Sequence, residues 1–259
     1  MALIAAQALA QANLWEEHTN AGVEAYQLGD NQEAEKQFFA AVGEAEKFGP
    51  EDPRLAQSLN NLAGLYNSQG KYAEAEPLYR RALAIAEATL GPEHPNVAPG
   101  INNLGALYLA QGKYAEAEPL FQRSLAIWEK ALGPEHPDVA LSLGNLASVY
   151  QAQGNYAAAE PLAARSMAIL QKALGSEHPN VAIGLNKLAM LLVAQRKYEE
   201  AEPNFRRALA IWEKELGPEH PNVAPILENY AALLREIDRE DEAEEMEARA
   251  KAIRAKQPL

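Results

Sequence analysis

With 259 residues, 48% of them hydrophobic, the chain can bury a continuous core, which excludes wholesale disorder. It has no cysteine, so disulfides, thiolate metal sites and cysteine nucleophiles are excluded, and the composition fits a reducing, cytoplasmic setting. A formal charge of −13 repels nucleic-acid phosphates, and no stretch reaches the ~20 apolar residues of a membrane span.

Leu3 to Ala12 (LIAAQALAQA) has the small apolar residues of a signal peptide but no preceding basic segment, and it holds two glutamines. It is read as residues 1–11 extending a first helix, with export as the alternative. No proline interrupts Leu3 to Leu28, which fits a helix that begins early in the first unit, approximately 12–50.

The next segments expose the organisation. QGKYAEAEPL at Gln69 to Leu78 returns letter for letter at Gln111 to Leu120, 42 residues on, followed by QGNYAAAEPL at Gln153 and QRKYEEAEPN at Gln195. Self-similarity at such a period marks a solenoid of copied supersecondary units. The further boundaries fall near 51–92, 93–134, 135–176, 177–218 and 219–256, giving one solenoid domain over 1–259.

Pro95 to Gly133 shows what one unit is. Proline after His94 stops the preceding helix and Asn96 is the expected N-cap. Val97, Ile101, Leu104, Leu107 and Tyr108 then have the three-and-four spacing of an amphipathic helix, ended by Gly112. Tyr114, Ala117, Leu120, Phe121, Leu125 and Trp128 mark a second helix, closed by Gly133-Pro134. Each unit is thus a helical hairpin, helix A against helix B, and the fold class is all-α. Small residues recur on helix A (Gly22, Ala63, Gly105, Ala147, Ala189, Ala231) and helix B (Ala34, Ala75, Ala117, Ala159, Ala201, Ala243), where the partner helix approaches closely. Pro77, Pro119, Pro161 and Pro203 sit about one turn into helix B, where a proline forfeits at most one backbone bond. The charged run Arg235 to Lys256 is a polar C-terminal capping helix.

Asn61-Leu62-Ala63, Tyr66, Gly70, Tyr72, Ala75, Tyr79 and Ala82 resemble the signature of the tetratricopeptide repeat. The 42-residue period and the LGPEHPNVA connector are similar to the repeats of kinesin light chains. The resemblance implies a right-handed superhelical solenoid of antiparallel hairpins, whose helix A residues line a concave groove for a peptide or protein. It places in that groove Asn20, Asn61, Asn103, Asn145, Lys187 and Asn229, and at the neighbouring position Asn60, Asn102 and Asn186. An amide carries a donor and an acceptor, so such a ladder can pair with an extended peptide backbone; it can equally bond the next repeat and set the stacking.

His94, His136, His178 and His220 recur every 42 residues, each after a glutamate. Metal ligands must converge within ~3–4 Å, whereas equivalent positions on stacked helices lie about 8–10 Å apart, so these are read as connector residues that help cap helices and no metal is expected. No cofactor motif or catalytic set occurs, which points away from an enzyme. Acidic runs are solvated faces, and Arg80, Arg81, Arg206 and Arg207 are expected to pair with glutamates one turn away. Lys187 and Arg235 are the cations assigned to the groove, offset by Glu228 and Glu236. The expected function is a scaffold or adaptor, monomeric or a weak homodimer, that takes an extended, neutral or basic peptide without nucleic acid or membrane. The rivals are a structural or self-assembling module, the regulatory array of a larger protein, and a consensus-engineered repeat.

Overall fold

The computed structural model describes the backbone of residues 2–256 and the side chains of 11–256. Among the described residues there are twelve α-helices and no strand. They group into two compact units, Met1–Ala131 and Leu132–Leu259.

The first unit contains α1 (Ala2–Gln27), α2 (Asn31–Glu46), α3 (Pro53–Ser68), α4 (Tyr72–Leu90), α5 (Ala98–Ala110) and most of α6 (Tyr114–Leu132). Val97, Ile101, Leu104 and Leu107, the positions that the apolar spacing marked, are buried in its interior, together with Leu55, Leu59 and Leu62. Where the pattern calls for a small residue, the reason is visible. A Cβ added at Gly105 would lie 2.9 Å from the Phe121 ring, and one at Gly22 would lie 2.6 Å from Phe38. Ala34, Ala75 and Ala117 are wholly buried at the matching place on helix B.

The second unit contains α7 (Pro137–Ala152), α8 (Tyr156–Leu174), α9 (Pro179–Ala194), α10 (Tyr198–Leu216), α11 (Val223–Glu236) and α12 (Glu240–Ala255). Val181, Leu185, Phe205, Ile211, Leu227 and Tyr230 form its core. Pro77, Pro119, Pro161 and Pro203 all lie inside continuous helices.

Two details of the connectors differ from expectation. The helix before His94 ends at Leu90, and Gly91 caps it at φ 90°, so glycine rather than Pro95 stops it. Pro95 instead opens the next element, a 3-10 turn over Pro95–Val97. His94, not Asn96, is its N-cap, because the His94 ring accepts the Asn96 N–H. The tight turn within a hairpin needs a left-handed residue: Gly112 has φ 71°, and Arg196 is held at φ 59° in the equivalent place.

Candidate functional site

On the helix A face of the first unit, Asn20 is exposed and Asn60, Asn61 and Asn103 are half-buried. A cavity of about 340 Å³ is lined by Asn60, Asn61, Gly64, Tyr79 and Asn103, with Tyr26 and Phe38 as further walls. Asn102, which precedes Asn103, is buried and already engaged within the protein. Among the described residues Asn61 and Asn103 make no side-chain hydrogen bond, and the Oδ1 of Asn60 is buried without a partner. Burial pushes the Tyr79 phenol up to about 12, so it stays a neutral donor and acceptor. The walls carry no charge.

The second unit treats its asparagines differently. Asn229 donates its amide to Asn186 Oδ1 at 3.2 Å and to Met190 Sδ at 3.4 Å. That pair therefore joins one repeat to the next. Asn145 is engaged within the protein. Lys187 is exposed, lines a cavity of about 430 Å³, and forms no ion pair among the described residues. Arg235 is not available as a groove cation, because it is bound to Glu240 and Glu247 on or near α12. Glu228 is likewise held by Arg254, and Glu236 accepts from Tyr198, so neither offsets Lys187.

Polar contacts that the sequence did not assign form the joints between hairpins. Tyr66 donates to Glu35, Tyr108 to Glu76 and Tyr230 to Glu202, each at 2.8–2.9 Å. Where α9 has Leu192 in place of the tyrosine, Gln195 and Lys197 reach Glu160 instead. A second set grips the connectors. Lys130, Lys172, Lys214 and Lys256 pair with Glu93, Glu135, Glu177 and Glu219, always 37 residues upstream. Arg123, Arg165 and Arg207 donate to the carbonyls of Pro92, Pro134 and Ser176. Arg81 also leaves its own helix, for Glu46. The signal was present as a lysine at constant distance from each connector glutamate, which explains that glutamate better than a metal does.

His136 and His178 are the N-caps of α7 and α9, His94 caps the 3-10 turn ahead of α5, and His220 closes the turn ahead of α11. His136, His178 and His220 accept the N–H of Asp138, Asn180 and Asn222 at 3.1–3.2 Å through Nδ1. Among the described residues, no group of three His, Asp or Glu side chains is placed to hold a metal ion, and no helix is long and apolar enough to cross a membrane.

Antiparallel hairpins copied every 42 residues, joined by tyrosine–glutamate contacts, define a helical-repeat scaffold. Family models described as tetratricopeptide repeat match residues 55–96, 99–172, 138–202 and 180–256. The chain belongs to the tetratricopeptide repeat family, in the 42-residue form of kinesin light chains. It is similar to a Podosopora anserina structure of nearly identical TPR-like repeats ascribed to a kinesin light chain, with 33% identity, 80% of this chain and 98% of that one covered, and a TM-score of 0.68. Its fold is also like that of BtubC (BKLC) from P. vanneervenii, at 24% identity, 96% and 94% coverage and a TM-score of 0.70. YrrB, a TPR protein with an unusual peptide-binding site, shares the fold at 20% identity, 84% and 94% coverage and a TM-score of 0.50. A search of the curated proteins found no match.

Proposed function

We propose that this chain is a protein-interaction scaffold that holds an extended, neutral or basic peptide mainly through its backbone, with Asn61 and Asn103 as the principal contacts and no chemistry of its own. The tetratricopeptide fold is typical of such scaffolds. The observation that carries the reading is the uncharged cavity of the first unit, where those two amides stand unpaired among described residues while Asn186 and Asn229 are spent on each other. An amide with both functions free pairs with a peptide N–H and C=O whatever side chains that peptide bears. YrrB, by its description, offers a peptide-binding site on the same fold.

The test is peptide selection from a random displayed library, followed by anisotropy titrations of the winners. Selected sequences should be neutral or basic, and Asn61→Ala with Asn103→Ala should weaken them by ~1–3 kcal/mol without changing the circular dichroism. Tight binding of acidic peptides that survives the double replacement would sink the proposal. Light scattering on dilution should show a monomer throughout; a dimer that dissociates favours the self-assembling module.

A further inference from the structure

The fourth hairpin departs at three register positions from the hairpins on either side of it in the sequence, and a fourth departure, on the first helix of the fifth hairpin, lies beside them. The helix B position occupied by Phe38, Tyr79, Phe121 and Phe205 is Ala163 in the fourth hairpin. The position of Trp128 and Trp212, both buried, is Leu170. On helix A, the place of Asn60, Asn102 and Asn186 is Gly144, and in the next helix the ladder of asparagines gives way to Lys187.

Losing a ring at 163, an indole at 170 and an amide at 144 leaves space that the chain does not refill. Between α7, α8 and α9 the structure has a cavity of about 430 Å³ lined by Leu141, Gly144, Leu170, Leu174, Ile183 and Lys187. A smaller recess beside it shares Gly144, Ser166, Gly184 and Lys187 and is lined by Ala163. That volume falls within the ~300–1,000 Å³ of small-molecule sites. Leu141 is 53% exposed and Ile183 43%, so a large apolar surface faces this opening. Its polar residues are mostly engaged: Ser166 donates to the Ala140 carbonyl at 2.6 Å, and Asn145 has a partner within the protein. The exceptions are the exposed Asn180 side chain and Lys187, a cation at an apolar opening with no carboxylate paired to it among the described residues.

We infer that this site binds a small amphiphilic monocarboxylate, an apolar group of about phenyl size joined by a short chain to a carboxylate that pairs with Lys187. The apolar group replaces the side-chain volume lost at Ala163 and Leu170, and the carboxylate satisfies the one free charge. A neutral apolar ligand leaves Lys187 unpaired, and a dianion brings a second charge for which the lining offers no cation. The assignment is independent of the peptide reading, which rests on the first unit.

The probe is 4-phenylbutyrate, titrated into the full chain and followed by amide chemical shifts, with 4-phenylbutyramide as its uncharged counterpart. Saturable shifts are expected at Gly144, Ala163 and Gly184. The amide should bind about tenfold more weakly, and Lys187→Asn, which restores the ladder residue, should cost the acid about tenfold while leaving the amide unchanged. Ala163→Phe combined with Gly144→Asn restores residues the other hairpins carry and should abolish binding. If that variant fails to give a folded spectrum, Leu170→Trp refills the other end of the cavity and should abolish binding in its place. The inference is overturned if the wild type shows no saturable shift, if a folded refilled variant binds as well as the wild type, if acid and amide bind equally, or if only a peptide with a bulky side chain occupies the site.

Discussion

The Tyr108 hydroxyl donates to Glu76 Oε1 at 2.9 Å, from α5 back to α4 of the preceding hairpin. Arg80 donates to the same hydroxyl and Lys113 lies 3.5 Å from the same carboxylate, so one tyrosine sits at the centre of a joint between repeats. Burial pushes the Glu76 carboxyl up, but the donors Tyr108 and Arg80 outweigh it and hold the group below the ordinary glutamate range.

Tyr108→Phe keeps the ring and removes the donor. It should lower stability by about 1 kcal/mol, read as a reduced urea midpoint with an unchanged slope. An unchanged midpoint would mean that Arg80 and Lys113 satisfy Glu76 unaided.

The joints should also respond to acid. Glu160 is lowered by its bonds from Lys197 and Gln195, which burial only partly opposes. Its folded value lies below the unfolded one, so its contribution is complete above the ordinary ~4.3 and is lost as pH falls through the lowered folded value. Glu160→Gln should therefore melt lower than the wild type at pH 7, by a gap that narrows as pH falls below the ordinary glutamate range. A constant gap between the two would remove ionisation as the cause.

Arg196 is the turn residue most open to improvement. Its φ of 59° is a conformation that Gly70, Gly112 and Gly154 adopt freely in the other hairpins. Arg196→Gly should stabilise by ~0.5–1 kcal/mol. A lower melting temperature would show that Arg196 makes a contribution outweighing its backbone strain.

The histidine caps give a further test. His178→Ala removes the acceptor for the Asn180 N–H and should cost ~1 kcal/mol, whereas His178→Asn supplies another acceptor and should recover most of it. Zinc followed by chelator should leave the melting temperature of the wild type where it was; a reversible rise would restore a metal reading of these residues.

The hairpins, their 42-residue period and the small-residue positions were legible in the sequence because each depends on near neighbours along the chain. Gly105 against Phe121 and the buried Ala117 follow from spacing within one hairpin. The partners of polar groups did not follow, because they are set by distances between different hairpins. Spacing marked Asn61 and Asn229 as equivalent, yet only the packed structure leaves the first open and binds the second to Asn186. It also decided that Arg235 is spent on Glu247, and that His94 rather than Asn96 caps a turn. Periodicity fixes which face of a helix is apolar, since burial needs only a direction. A hydrogen bond or an ion pair needs a distance of about 3 Å, and that is decided only when one hairpin is packed on the next.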